Sequence, residues 1–144
     1  MISIQSTYQL DHPVQVVFDY INEPQNEPLW ISSVTKIDPV EGDLFEIHYD
    51  FLGKKEMFLI EITTEQYKTR TYKRIEGVFP MRGHQVFTPI KNGEGTQIEW
   101  TFEIDPGKFF GIIPHIIIKK AVENMMKKDV KKLNDHLLQV PQTT

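Results

Sequence analysis

The middle of the chain, residues 33–105, consists of short segments in which apolar and polar residues alternate, and this pattern limits the fold most. A strand points successive side chains to opposite faces, so alternation with a period of two predicts strands that have one apolar face. Residues 97–104 show the pattern most clearly, because Ile98, Trp100 and Phe102 share one face. The connections between the segments are short, which favours antiparallel pairing.

Helical patterns lie on both sides of this β region. Residues 2–10 alternate as a first strand, residues 12–21 have apolar residues at helical spacing, and one further helical turn is indicated near Trp30. Pro114 and Pro141 mark the start and end of a long amphipathic helix, because proline fits the first helical turn and commonly follows the last. A sheet with one apolar face must cover that face. The sequence therefore predicts an α+β domain whose sheet curls around the C-terminal helix.

The order of these segments resembles the START-like superfamily, also called SRPBCC or Bet v 1-like, and most of all its polyketide cyclase/dehydrase and lipid-transport subfamily. The resemblance rests on Asp11-His12-Pro13 after the first strand, on the Pro89 to Gly95-Thr96 hairpin and on the long last helix, and it covers residues 3–139. It implies the helix-grip fold, in which a seven-stranded antiparallel sheet wraps around a long C-terminal helix and two short helices follow the first strand. It also implies an elongated, mostly apolar cavity between sheet and helix.

The chain length and the terminal residues set expectations for domain organisation and location. The 144 residues are typical of one domain, which we expect at 1–140, with a short tail at 141–144. The sequence contains no uncharged apolar run of 18 residues, and its first residues show no signal-peptide pattern. It also contains no cysteine, which suits a reducing compartment. We therefore predict a cytoplasmic protein without stable membrane insertion.

Charge and motifs disfavour several function classes. The net charge of −4 is the opposite of the basic excess that nucleic-acid binders show. The five histidines form no His-x₃-His or Glu-x-x-His pair on a helix, so no metal site is predicted. The sequence contains neither a Gly-x-Ser-x-Gly elbow nor a glycine-rich loop that opens a helix, so we predict no cofactor. The superfamily shares no catalytic motif, so the resemblance supplies no catalytic residue.

The resemblance implies that a small hydrophobic or amphipathic ligand, lipid-like or polyketide-like, binds in the internal cavity. One alternative is an enzyme of the polyketide cyclase/dehydratase or hydrolase type that uses the same cavity. Another is a partner-binding domain without a ligand. The residues that we predict to line the cavity are Trp30, Phe45, Ile47, Tyr49, Phe58, Ile60, Tyr72, Gln85, Phe87, Trp100, Phe102, Ile113 and Ile117.

The sequence leaves the orientation of the strand at 68–76 open. Either its Thr69, Thr71 and Lys73 face or its Arg70, Tyr72 and Arg74 face looks toward the helix. A cationic side chain over the cavity would need a partner, because an unpaired buried charge is costly.

Three features of the C-terminal region have more than one interpretation. Residues 109–118 are apolar on every side, so they could line or cover the cavity, form a homodimer patch or belong to the core, and we expect a monomer or a homodimer. Seven lysines between 108 and 139 indicate a solvent-facing helix surface, or else a surface that touches anionic lipid. Asp129 falls at the edge of the apolar stripe, where we expect an ion pair with Lys132. If the stripe does not drift around the helix, Asp129 and His136 are instead buried with shifted pKa values, which would make the two a functional candidate.

Overall fold

A computed structural model describes residues 1–138 of the chain, so the predicted tail at 141–144 and the predicted domain end at 140 lie outside the described residues. The described part contains seven strands and three α-helices. In chain order they are β1 (Ile2–Leu10), α1 (Val14–Ile21), a 3₁₀ turn (Pro24–Asn26), α2 (Glu27–Trp30), β2 (Val34–Glu41), β3 (Leu44–Phe51), β4 (Lys54–Glu65), β5 (Thr69–Glu76), β6 (Met81–Ile90), a second 3₁₀ turn (Lys91–Gly93), β7 (Gly95–Ile104) and α3 (His115–Leu137).

The seven strands form one antiparallel sheet in the order β1-β7-β6-β5-β4-β3-β2. Helix α3 buries one apolar stripe, which begins at Ile118 and Val122 and ends at Leu133 and Leu137. The predicted α+β helix-grip fold is thus confirmed, including the two short helices after the first strand.

Two connections show how local sequence sets the fold. The β6–β7 hairpin turns through Lys91, Asn92 and Gly93, which have φ angles of 52°, 56° and 88°. These left-handed conformations explain the Asn-Gly pair. Strand β2 continues through Asp38-Pro39 to Glu41. The strand tolerates the missing N–H of Pro39 because β2 is an edge strand, and its pairing register with β3 shifts between Pro39 and Glu41.

Asp129 is buried, with an exposed fraction of only 3%. Its Oδ1 accepts hydrogen bonds from the Ser32 hydroxyl (2.8 Å) and the Ser32 backbone N–H (3.2 Å). Burial raises the pKa of this carboxyl, while the Ser32 donors and the charge of Lys132 act in the opposite direction. The predicted boundary ion pair with Lys132 is therefore wrong, because the loop after α2 covers this side of α3.

No helix within residues 1–138 is long and apolar enough to cross a membrane. Across the same residues, no group of three or more histidine, aspartate or glutamate side chains is arranged to hold a metal ion.

Candidate functional site

Two small cavities adjoin between the concave face of the sheet and α3. The first, which we call the apolar cavity, has a volume of about 70 Å³. The second, which we call the mixed cavity, has a volume of about 60 Å³. Both are bordered by Ser33, Tyr49, Phe102 and Met125, so these four side chains stand between them. The elongated cavity that the resemblance implies is thus divided by its own wall residues.

Aromatic side chains dominate the apolar cavity. Phe79 packs its ring against Phe58, Phe109 and Phe110, with centroid distances of 5.2, 5.4 and 6.1 Å. The Lys54 ammonium lies 5.7 Å from the centroid of Phe109, which places a cation at the edge of this aromatic group. The wall is completed by Ser33, Tyr49, Phe51, Glu56, Met81, Phe102, Ile104, Val122 and Met125.

The mixed cavity combines aromatic and polar groups. The Trp100 Nε1–H donates a 3.0 Å hydrogen bond to the Tyr72 hydroxyl, and Tyr72 lies directly across from Gly83 in the β5–β6 register. A Cβ atom at Gly83 would overlap the Tyr72 ring, so the missing side chain is what allows the ring to lie over β6. Burial raises the pKa of Tyr72 and of Tyr49 well above the ordinary tyrosine value, so both hydroxyls keep their protons.

A buried ion pair forms part of the mixed cavity. The Arg70 guanidinium Nη2 donates a 2.6 Å hydrogen bond to the Glu27 carboxylate, at the start of α2. The pair shows which face of β5 looks toward the helix: Arg70 and Tyr72 are buried on that face, and Lys73 faces solvent. It also supplies the partner that a buried cation requires. Sequence reasoning missed Glu27, since 43 positions separate it from Arg70 and no local pattern links them.

Two polar atoms at the mixed cavity have no hydrogen-bond partner within residues 1–138. They are the Nε of Arg70 and the Oε1 of Gln85, and both are buried. Arg70 and Gln85 are direct partners in the β5–β6 register, so the two side chains lie side by side on the concave face. Trp30 Nε1 is a third such atom, although Trp30 lies outside both cavity walls.

Residues 1–139 match the family model described as polyketide cyclase / dehydrase and lipid transport. The chain belongs to this family. A search of the curated proteins found no match.

Solved structures similar to this family member share its fold. A START superfamily protein from Mycobacterium smegmatis aligns with a TM-score of 0.81 at 11% identity, covering 96% of this chain and 99% of its own. A conserved protein from Geobacillus kaustophilus aligns with a TM-score of 0.84 at 16% identity and 95% coverage of both chains. Zhui aromatase/cyclase from Streptomyces sp. R1128 aligns with a TM-score of 0.77 at 14% identity, covering 95% of this chain and 93% of its own. At these identities the likeness concerns the fold alone.

The structure of this family member brings eight of the thirteen predicted residues into the two cavity walls. Contact with a ligand remains a prediction for all of them. The eight are Ile47, Tyr49, Phe58, Ile60, Tyr72, Gln85, Trp100 and Phe102.

The other five predicted residues lie elsewhere. Trp30 is buried behind Trp100, with 6.0 Å between ring centroids, and Phe87 packs against Phe18 at 5.3 Å. Phe45 and Ile113 are half-buried against the core, and Ile117 is 54% exposed. A period of two assigns a side chain to a face of the sheet, but it does not say whether another side chain covers it.

The segment at 109–118 has a mixed environment. Phe110 and Ile118 are buried, whereas Ile112, Ile116 and Ile117 are exposed. The core interpretation is therefore wrong for these three isoleucines. We call these three exposed residues the isoleucine patch; they follow Phe109 and Phe110 of the apolar cavity wall in the chain.

Proposed function

We propose that this family member binds a small hydrophobic or amphipathic ligand, lipid-like or polyketide-like, between its sheet and α3. One observation carries the proposal: an apolar cavity and a cavity with unpaired buried polar atoms share four wall residues. A core built only for stability would leave few such atoms, because burying a polar group without a partner costs free energy. The arrangement suits a molecule with an apolar body and a polar end.

The ligand must displace side chains between the two cavities. Pockets for drug-sized ligands typically have volumes of about 300–1,000 Å³, far more than either cavity provides. Met125 is the residue best suited to move, since methionine is unbranched and adapts to irregular spaces. We propose that movement of Met125 joins the cavities into one elongated site.

The alternative is a cavity enzyme of the cyclase, dehydratase or hydrolase type. The ionisable groups of the mixed cavity support binding rather than acid–base catalysis. Glu27 is held by Arg70, and burial keeps the hydroxyls of Tyr49 and Tyr72 protonated. Neither cavity wall contains a histidine among the described residues.

We further propose a cytoplasmic location, since a chain without cysteine suits a reducing compartment. The net charge of −4 supports a partner that is a small molecule rather than nucleic acid. We also propose that the protein is a monomer or a homodimer.

Titration with a naphthalene-based fluorescent probe tests the proposed function. We expect saturable binding at micromolar concentrations, seen in the probe's own emission and in calorimetry. Met125→Trp should block binding by filling the space between the cavities. Met57→Trp is the matched control, because Met57 is 46% exposed on β4 and lies outside both walls.

If the native protein binds no apolar probe saturably, the proposed function is wrong. Equal loss of binding in the two tryptophan variants would place the probe outside the cavities and would also contradict it.

A further inference from the structure

We propose that the ligand carries an uncharged hydroxyl group that binds between Arg70 and Gln85. This inference rests on the proposed function and names the chemical class of the ligand. The oxygen of such a hydroxyl accepts a hydrogen bond from the Arg70 Nε–H, and its O–H donates a hydrogen bond to Gln85 Oε1.

The donor side of this site is the Arg70 guanidinium. Its Nη2 is engaged by Glu27, while its Nε is buried and unpaired within residues 1–138. A guanidinium N–H cannot accept a hydrogen bond, so the group that meets it must present an oxygen or nitrogen lone pair. The Arg70 side chain borders the mixed cavity, which gives a ligand access to it.

The acceptor side is the Gln85 amide. Its Oε1 is buried and unpaired in the described part of the chain, and the side chain also borders the mixed cavity. A carbonyl oxygen needs a donor, which a ketone, ether or carboxylate lacks. Because Arg70 and Gln85 are cross-strand partners, one group can meet both. A hydroxyl is the smallest group that accepts and donates through one atom.

The charge balance of the site favours a neutral ligand. The Glu27 carboxylate already compensates the Arg70 charge at 2.6 Å. A ligand carboxylate would add a second negative charge beside Glu27 in a site shielded from water, where like charges repel strongly. The Tyr49 and Tyr72 hydroxyls complete a polar wall without contributing charge.

Three matched probes test the proposal at pH 7 by calorimetry on the full chain: naphthalene, 2-naphthol and 2-naphthoate. They share one ring system, and they carry no polar group, a neutral hydroxyl and a carboxylate, respectively. We expect 2-naphthol to bind at least about tenfold more tightly than naphthalene, since a hydrogen bond to a charged group has this effect. We expect 2-naphthoate to bind more weakly than 2-naphthol.

Two variants assign the preference to the named groups. Gln85→Leu should lower the ratio of 2-naphthol to naphthalene affinity severalfold, because it removes the acceptor and leaves only the Arg70 donor, whereas Gln9→Leu, a change of an exposed glutamine on β1, should leave the ratio unchanged. Glu27→Gln should increase the affinity for 2-naphthoate relative to 2-naphthol by about tenfold, because it leaves the Arg70 charge uncompensated. Arg70→Lys, which keeps a cation beside Glu27 and removes Nε, replaces Gln85→Leu if that variant does not fold.

The outcomes separate this inference from the proposed function. If none of the three probes binds, the proposed function itself is wrong. If all three bind and 2-naphthol has no advantage over naphthalene, the cavity binds ligands and the hydroxyl site is overturned. Tighter binding of 2-naphthoate than of 2-naphthol by the native protein would overturn the neutral class, as would a preference for 2-naphthol that survives both Gln85→Leu and Arg70→Lys.

Discussion

Arg70 and Glu27 form a hydrogen-bonded ion pair of 2.6 Å in which both side chains are about 4% exposed. The pair joins α2 to β5 across the end of the mixed cavity. Transfer of two charges out of water offsets most of their attraction, so the contribution of such a pair to net stability is small. Its effect is positional, because α2 can dock with Glu27 inward only where the sheet presents a cation.

Removal of one partner should be far more costly than removal of both. We expect Arg70→Met to lower the free energy of unfolding by about 3–5 kcal/mol, since Glu27 would remain buried and uncompensated. The double variant with Glu27→Met should recover most of this loss. Urea denaturation of the single and double variants measures both effects. A loss below about 1 kcal/mol in Arg70→Met would show that Glu27 reaches water without its partner.

Trp100 should contribute to stability through burial and through one hydrogen bond. We expect Trp100→Ala to cost about 3–5 kcal/mol because it leaves a large space under α3. Trp100→Phe keeps most of the apolar contact and removes the donor to Tyr72, so it should cost about 1–3 kcal/mol. Chemical denaturation gives both values. Equal losses in the two variants would contradict a separate role for the hydrogen bond.

The sequence predicted the fold well because the fold depends on periodicity. Trp100 illustrates this, since its alternation with Ile98 and Phe102 placed it on the concave face, where it is buried. Strand β5 was undecidable by the same method. One face of β5 carries Lys73 beside threonines and the other carries Arg70 beside Tyr72, so neither face is apolar. The choice between the two faces depends on Glu27, which lies far away in the sequence.

The candidate site was less predictable, because it too depends on contacts between residues that are distant in the sequence. Ser33 and Met125 separate the two cavities, yet their positions follow from the path of the loop after α2 and from the angle of α3 on the sheet. Asp129 was placed at a boundary because a helical wheel does not show that Ser32 comes to cover it. Ile117 has the apolar side chain expected of a cavity-wall residue, but this side chain is exposed and lies outside both cavity walls.

Gly83 should be required for the position of Tyr72. A Cβ atom there would overlap the Tyr72 ring, so Gly83→Ala must push the ring toward the mixed cavity. We expect a loss of about 1–3 kcal/mol, typical of overpacking. In Tyr72→Ala the same change should cost much less, which a double-mutant cycle by urea denaturation measures. Additive losses would contradict the proposed ring contact.

The buried carboxyl of Asp129 should make stability depend on pH. Its pKa is raised in the folded protein, so the folded state binds a proton more tightly than the unfolded state does. The associated stabilisation is present below the ordinary value of 3.8 and is lost as the pH rises through the folded-state pKa. Relative to the native protein, Asp129→Asn should therefore become more stable as the pH increases from about 3 to 7. Urea denaturation across this range checks it, and a constant difference would contradict a raised pKa.

Ile117→Asp should distinguish the two roles that remain for the isoleucine patch. Because Ile117 is 54% exposed, we expect the free energy of unfolding to change by no more than about 0.5 kcal/mol. We expect the patch to cover the apolar cavity when ligand binds, so the variant should bind the naphthalene probe at least tenfold more weakly. Ile75→Asp is the control, since this β5 isoleucine is 42% exposed and lies outside both cavity walls. Analytical ultracentrifugation of native protein and variant completes the test. A native dimer that Ile117→Asp converts to a monomer with unchanged probe affinity would assign the patch to self-association instead.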